Sequence, residues 1–330
     1  MDLKDAIHLF EEKNGICINK FHSDRRQCFE KNLYPDQYIG KDIFENNIEC
    51  WIENFDERKV FLQLLANYIY VPEIMYGLKF DDLLSQIVEK CEKGKEILKQ
   101  TYFVTFPSSK GIKSGGDVIR DILPIGHLDC IKKEQLIADI KRNKKSISNA
   151  KCIVFIDDVI GSGRTAKRNI TDFFQLEGID FKEKKYFLAA LYAESSIKKE
   201  LEAELEKLEY KVELLVDHEC RKCFSENYIF AENETESKNI IMETEEKIAG
   251  KKVGEDLSYA LGYENSQLLL SFFYNTPNNT LCMFWKPTET NFPLFVRNSF
   301  HRPSLADIKR NREIKRKNAY EMAKEERAEK

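Results

Sequence analysis

Hydrophobic residues follow two different spacings along this chain of 330 residues. Up to about residue 100 they recur at intervals of three and four, most clearly over 58–70 and 79–100, and this spacing predicts amphipathic helices. From Thr101 onwards, short runs that are apolar throughout alternate with stretches of helical spacing. The runs cover 102–106, 152–156, 186–192 and 212–216, and the helical stretches cover 117–123, 165–176 and 195–208.

Apolar strands separated by helices are typical of a parallel sheet that is covered on both faces. The pattern therefore predicts an α/β fold with a doubly wound, mostly parallel sheet. We expect four parts: a helical N-terminal region over 1–100, the α/β core over 101–220, a C-terminal extension packed on the core over 221–300, and a charged tail over 301–330.

Several segments outside the predicted strands give local predictions. The segments 136–143 and 144–149 have helical spacing. The acidic segment 232–246 predicts a mobile loop or an exposed helix edge. Beyond it, the apolar segments 267–274 and 281–285 predict two strands joined by the turn 275–280.

Composition and charge narrow the cellular setting. No stretch approaches the ~18–20 uninterrupted apolar residues of a membrane span, and the N-terminus has acids where a signal peptide has basic residues. We therefore expect a cytoplasmic protein with no membrane segment. The formal net charge of −4 gives no overall attraction to nucleic acid. The basic run 309–317 in the tail leaves two hypotheses: contact with nucleic-acid phosphates or a protein partner, and the commoner solvated charge run.

The nine cysteines are scattered and odd in number, which argues against a disulfide framework and for a reducing compartment. The only close group is His218, Cys220 and Cys223. A structural zinc site needs four ligands, and no second Cys-x-x-Cys exists in the chain. Free thiols are the favoured interpretation, with a zinc site as the alternative.

The candidate chemistry lies in the segment 153–165, IVFIDDVIGSGRT. Its apolar residues predict a buried strand, which would hold the following loop rigidly. Asp157 and Asp158 come directly after that strand. Two adjacent carboxylates at this position are suited to accept hydrogen bonds from the vicinal hydroxyls of a ribose.

The residues after the acids are suited to a phosphate. Gly161 and Gly163 allow a tight turn in which successive N–H groups point inward. Ser162 and Thr165 add hydroxyl donors, and Thr165, which follows Arg164, opens a helix that directs the positive end of its dipole at the same place. One short segment can thus bind both ends of a ribose 5-phosphate.

The segment resembles the signature of the type I phosphoribosyltransferases, which bind 5-phosphoribosyl-1-pyrophosphate with Mg²⁺. Gly161 stands where a Thr is common in that signature, and the matching residues are Asp157, Asp158, Ser162, Gly163 and Thr165. The resemblance implies that the two aspartates hold the ribose and act on Mg²⁺ indirectly, through the ligand. It also implies that 161–165 binds the 5-phosphate.

Two alternatives compete with this interpretation. The apolar run with two aspartates also fits the Walker-B strand of a P-loop ATPase, but that fold needs an upstream G-x-x-x-x-G-K-[ST], which the chain lacks. The other alternative is an ordinary strand-end turn rich in Asp and Gly.

A second loop of the same family binds pyrophosphate and carries a basic residue followed by Gly. Lys110 and Gly111 fall at the matching place, after the run 102–106. Ser114 and Gly115 then form a second bend that suits a phosphate. The resemblance implies that Lys110 binds the departing pyrophosphate in a transferase.

Transferases of this family close the site with a hairpin between the two loops, and 122–150 shows no pair of alternating strands. Three hypotheses follow. The chain is a regulator or effector that binds a ribose phosphate or nucleotide, or an active phosphoribosyltransferase with Asp157, Asp158 and Lys110 in catalytic roles. The third is an interaction module linked to nucleic acid, with a relic loop. Whether it is an enzyme stays open.

The N-terminal segment and the segments 266–285 and 292–298 are similar to one branch of the family. These are the phosphoribosyltransferase-like domains with a C-terminal extension (PRTase-CE), found beside bacterial conflict and anti-phage systems, including some retrons. In the extension, two sets of residues have a ligand-binding interpretation: polar contacts or base stacking. We favour a structural turn for the first set, which is Asn275, Asn278 and Asn279. We favour core packing for the second set, which is Trp285, Phe292 and Arg297.

Overall fold

The computed structural model describes residues 1–16, 55–91, 94–106, 116, 118–119, 131–288, 293–295 and 297. Tertiary contacts divide the chain into two compact units, Met1–Tyr70 with Cys223–Lys330 and Val71–Lys222. The four-part division expected from the sequence stays a prediction. Within the described ranges, no helix has both the length and the apolar character needed to cross a bilayer.

The elements of the described residues, in chain order, are as follows. The helices are α1 Leu3–Asn14, α2 Phe55–Ala66, α3 Glu73–Glu89, α4 Lys144–Asn149, α5 Arg164–Phe174, α6 Ser195–Leu205 and α7 Glu234–Ala249. The strands are β1 Ile69–Val71, β2 Thr101–Thr105, β3 Leu136–Ile137, β4 Cys152–Ile160, β5 Lys185–Glu194, β6 Val212–Cys220 and β7 Leu270–Phe272. Short 3₁₀ turns lie at Gly94–Gln100, Lys133–Gln135, Ala231–Asn233, Tyr263–Asn265 and Cys282–Phe284.

The unit Val71–Lys222 is built on a five-stranded sheet with the order β3-β2-β4-β5-β6. Every neighbouring pair in it is parallel. The four longer strands contain the four apolar runs of the sequence except for Phe106, and helices connect them. The predicted α/β fold with a doubly wound parallel sheet is therefore confirmed.

Both faces of this sheet are buried. On one face, alternate residues of β4 and β5 such as Phe155 and Leu188 join a core with Ile170 and Phe173 of α5 and Leu201 of α6. Because side chains alternate along a strand, the intervening residues of β5 point the other way. They are also buried, and α3 packs against β5 and β6. The continuous apolar runs reflect this double burial.

The unit that contains both chain termini has an aromatic core with little sheet. Tyr68 stacks on Phe295 with ring centroids 4.4 Å apart, and Phe61 stacks on Phe284 at 5.0 Å. Its two-stranded sheet pairs β1 with β7. Trp285 is fully buried, and its indole N–H donates to the Thr280 carbonyl at 2.8 Å.

Two local predictions were wrong, and a third, for 232–246, was correct only in its helical alternative. The segment 136–143, predicted helical, begins with β3, because Leu136 and Ile137 pair with Phe103 and Val104 at the sheet edge. The segment 281–285 is a 3₁₀ turn at Cys282–Phe284. The acidic segment 232–246 lies mostly in α7, and its Glu245 is fully buried.

Candidate functional site

The segment 157–165 lies at the point where the strand order of the sheet reverses. β2 lies between β3 and β4. The strands that come first and third along the chain in this sheet, β2 and β4, are therefore neighbours. Doubly wound sheets bind ligands in the crevice outside the carboxyl ends of these two strands. Thr105, the last residue of β2, pairs with Ile156. Asp157 therefore begins the part of β4 that extends past the end of β2.

The acid pair lies inside strand β4, which corrects the expected strand end at 156. β4 continues to Ile160 because Val159 and Ile160 pair with Tyr192 and Ala193 of β5. Asp157 pairs with Ala190 of β5, and Asp158 lies within the same strand, between Asp157 and the paired Val159. The sequence placed the aspartates in a loop because charged residues usually end a buried strand.

The two carboxyl groups interact closely. Asp157 is half-buried and Asp158 is only 8% exposed. The backbone N–H of Asp158 donates to Oδ1 of Asp157 at 3.0 Å. Burial raises the pKa of Asp157 well above its usual value, and the charge of Asp158 and a hydrogen bond between the side chains raise this pKa further. The pair therefore favours ligands that bring hydroxyl donors or positive charge.

The residues after the strand form a turn that leads directly into α5. Gly163 is the N-cap residue, with φ 70° and ψ −14°, and its carbonyl accepts the N–H of Lys167 at 3.0 Å. Gly161 is buried and Ser162 is half-buried. Arg164 and Thr165, in the first turn of α5, are exposed. The first amide groups of a helix have no acceptor within it, so this end of α5 suits an anion.

Two features of position 163 favour glycine. Its positive φ lies in the left-handed region that side chains rarely adopt. A Cβ at this position would also lie 3.2 Å from Cγ2 of Ile197 in α6. The sequence predicted the first feature but not the contact with α6.

Glu194 fixes α6 in this position. Its buried carboxylate accepts the N–H groups of Ser196 at 3.0 Å and Ile197 at 3.2 Å, and it also accepts the Ser196 hydroxyl. Glu194 was not singled out in the sequence because Glu is an unusual N-cap residue. The available indication was the pair of serines that follows it at the end of an apolar run.

The structure describes residues on either side of the second predicted loop but not the loop itself. Gly116 has helical conformation, and a Cβ there would lie 2.8 Å from Cβ of Thr105, so the chain returns closely to the end of β2. Lys110, Gly111, Ser114 and Gly115 lie outside the described residues. Their predicted contacts with phosphate or pyrophosphate stay predictions.

The asparagines of the extension take part in internal structure. Asn279 is 8% exposed, and its amide donates to the Ser266 hydroxyl at 3.1 Å. The carbonyl of Asn278 accepts the N–H of Tyr263 at 2.8 Å, and the carbonyl of Asn275 accepts the N–H of Phe272 at 2.9 Å. These bonds agree with the favoured structural turn.

The aromatic group of the extension is also packed inside. The guanidinium of Arg297 lies 5.3 Å from the ring centroid of the buried Trp285 and donates to the Thr276 carbonyl at 2.7 Å. This agrees with core packing for both residues. Phe292 and the basic tail lie outside the described residues.

Cys220 and Cys223 are free and buried, whereas His218 is exposed on β6. His218 contacts the ring of Tyr192 with centroids 5.5 Å apart. Among the described residues, no group of three or more His, Cys, Asp or Glu side chains is placed to hold a metal ion. The favoured interpretation of free thiols agrees with this arrangement.

Comparison with known proteins gives one match. A family model described as PRTase-CE matches residues 48–297, which is most of the chain. Neither the curated proteins nor the solved structures contain a match to the chain.

Proposed function

The chain belongs to the PRTase-CE family, and we propose that it binds a ligand carrying a ribose 5-phosphate outside the carboxyl ends of β2 and β4. A nucleotide and 5-phosphoribosyl-1-pyrophosphate both contain this group. The observation that carries the proposal is the continuous path from Asp157 to the first turn of α5. It places two carboxyls and a helix N-terminus within one rigid segment.

The two ends of the ligand would meet different chemistry. Asp157 and Asp158 accept hydrogen bonds from the ribose hydroxyls, and each bond between a neutral donor and a carboxylate contributes about 1.5–3 kcal/mol. The amides around Gly163 and the hydroxyls of Ser162 and Thr165 bind the 5-phosphate. Bonds from the ribose favour the ionised carboxylates, which burial and mutual repulsion disfavour in the free protein.

The acid pair also fits a ligand that arrives with Mg²⁺. Mg²⁺ is usually held by one or two carboxylates together with substrate phosphates and water. Asp157 and Asp158 supply the carboxylates, and a nearby dication counteracts the repulsion that raises the pKa of Asp157. When bound, Mg²⁺ neutralises the charge of the ligand's phosphates.

We further propose that the protein acts as a regulator or effector in a bacterial anti-phage or retron-type system, and that its ligand serves as a sensed molecule. This proposal starts from the resemblance to the phosphoribosyltransferase-like domains that are found beside such systems. The second candidate is an active phosphoribosyltransferase, which the match of the acid pair to the transferase signature favours. There the bond from the anomeric carbon to pyrophosphate breaks as the bond to a base forms, and Lys110 binds the departing pyrophosphate.

Titration calorimetry tests the binding proposal. Full-length protein is titrated with 5-phosphoribosyl-1-pyrophosphate and MgCl₂, and then with a nucleotide panel. The double variant Asp157→Asn with Asp158→Asn should lose at least about tenfold in affinity, since it removes one or more charge-assisted hydrogen bonds. Asp172→Asn is the matched control, because Asp172 is exposed on α5 and away from the turn.

The same samples distinguish the candidate functions. Binding without release of pyrophosphate over a panel of bases supports a regulator. Release that depends on a base supports the transferase. If the folded protein binds no phosphoribosyl compound, the proposed site is wrong and the interaction-module hypothesis remains.

A further inference from the structure

We infer that Cys91 and Cys152 form a redox-active pair, which a hydroperoxide converts into a disulfide. The pair lies at the opposite end of β4 from the acid pair. Cys152 is the first residue of β4, and Cys91 lies just after the end of α3. The inference is independent of the proposed ligand.

The backbone around the two thiols holds them together. Lys185 is the cross-strand partner of Cys152 in β5. The ammonium group of Lys185 donates to the carbonyl of Lys90, the residue before Cys91, at 2.7 Å. The cross-strand partner of Cys152 is thus hydrogen-bonded to the residue that precedes Cys91. The two thiols lie close enough for each to change the pKa of the other.

The two thiols differ in environment, and this difference gives them different roles. Cys152 is fully buried and Cys91 is 5% exposed. The hydrogen bond from Cys152 lowers the pKa of Cys91 to about 7; Lys185 also lowers it, against burial and the charge of Glu213. The same hydrogen bond and deeper burial raise the pKa of Cys152. Cys91 is therefore the attacking thiolate and Cys152 the resolving thiol.

The reaction is balanced with a hydroperoxide as the oxidant. The Cys91 thiolate attacks a peroxide oxygen, an S–O bond forms, the O–O bond breaks, and the departing hydroxide takes a proton to become water. The Cys152 sulfur then attacks the sulfenic sulfur of Cys91. An S–S bond forms, the S–O bond breaks, and a second water leaves with the proton of Cys152. Two thiols lose two electrons, and hydrogen peroxide becomes two waters.

Two of the other described cysteines have less reactive surroundings. Burial raises the pKa of Cys223 and of Cys282 well above the usual value, and the charge of Glu245 raises both further. Thiols of this kind react slowly because the thiolate is the nucleophile.

Disulfide mapping of the wild-type, full-length chain tests the inference. Reduced protein is treated with hydrogen peroxide, alkylated in denaturant, digested and analysed by mass spectrometry. We expect a peptide pair joined through Cys91 and Cys152 that dithiothreitol separates. Its rate of formation should rise about tenfold from pH 6 to pH 8 and then level off, as expected for a thiol with a pKa near 7.

Two variants sharpen the test. Cys152→Ser should leave Cys91 as a sulfenic acid that dimedone labels, whereas Cys220→Ser, a buried thiol at the other end of the sheet, should keep the crosslink. The inference is overturned if Cys91 and Cys152 remain alkylatable after treatment, or if Cys91 pairs with another cysteine. Because mapping uses the wild-type chain, a misfolded variant does not remove the test.

Discussion

Two carboxyl groups, one in each unit, have their pKa raised by burial but differ in their partners. In the unit with the chain termini, Oε2 of Glu245 accepts the N–H groups of Leu261 and Cys282, both at 2.9 Å, and Oε1 accepts that of Met283 at 2.8 Å. In the sheet unit, among described residues, Asp157 accepts one amide, and its nearest charged neighbour is another carboxyl.

The difference separates a structural acid from a candidate binding acid. Buried polar groups in native proteins are nearly always hydrogen-bonded, and a group with incomplete partners calls for an explanation. Glu245 holds α7 to the segments at 261 and 282–283, so its hydrogen bonds serve the fold. Asp157, with one amide donor, is better matched to a donor that comes from outside the chain.

The largest expected effect is the loss of stability on replacing Glu245. Glu245→Ala leaves three buried backbone N–H groups without acceptors, at about 1–3 kcal/mol each. We therefore expect the free energy of unfolding to fall by at least about 3 kcal/mol, measured by urea denaturation.

Glu243→Ala is the matched control on the same helix. Glu243 forms an exposed ion pair with Lys247, and exposed pairs contribute little to stability. If Glu245→Ala unfolds at the same urea concentration as Glu243→Ala, the buried acid does not organise this unit.

The acid pair should respond in the opposite way. Asp157→Asn keeps an oxygen that can accept the Asp158 amide but removes the repulsion between the two carboxyls. We expect unchanged or increased stability in urea, with an affinity for the proposed ligand that falls on the order of ten- to hundredfold. A clear loss of stability would show that Asp157 is a structural acid like Glu245.

The contrast also explains what the sequence could predict. Strands β2, β4, β5 and β6 each contain an apolar run, stretches of helical spacing separate these runs, and double burial makes that pattern visible along the chain. The turn after β4 was visible for a similar reason, because Gly161, Ser162 and Gly163 stand within one short segment and Gly163 adopts a positive φ.

Contacts between distant segments were not visible. In the sequence, nothing distinguishes Glu245 from the other acids of its helix. Its role follows only from the fold, which brings the N–H groups at 261, 282 and 283 to its carboxylate. Glu194 and Ile197 support the turn from a different strand and helix, and β3 consists of two residues whose strand character comes only from pairing with β2. Tertiary context decides such positions.

A smaller effect is expected at the turn itself. Gly163→Ala introduces a Cβ into the left-handed region, which costs about 1–2 kcal/mol, and crowds Ile197. Gly178→Ala is the matched control, since Gly178 has φ 79° with open space around its Cβ position. Urea denaturation should show a loss for both variants that is greater for Gly163→Ala, and calorimetry should show weaker ligand binding only for Gly163→Ala. If Gly163→Ala and Gly178→Ala lose stability and affinity equally, the contact between position 163 and α6 does not constrain the site.

The smallest expected effect is a pH dependence that separates the two acids. The pKa of each is raised in the folded protein, so the folded state binds more protons than the unfolded state above the usual carboxyl range, about pH 4. The free energy of unfolding should therefore fall as the pH rises from there through the raised pKa values. Asp157→Asn removes the contribution of Asp157, so the stability of this variant should decline less than that of the wild type between pH 5 and pH 8. Urea denaturation at these two pH values measures the difference. If the stabilities of the variant and the wild type decline in parallel, the folded protein does not hold a proton on the acid pair. The contrast between Asp157 and Glu245 would then rest on their hydrogen bonds alone.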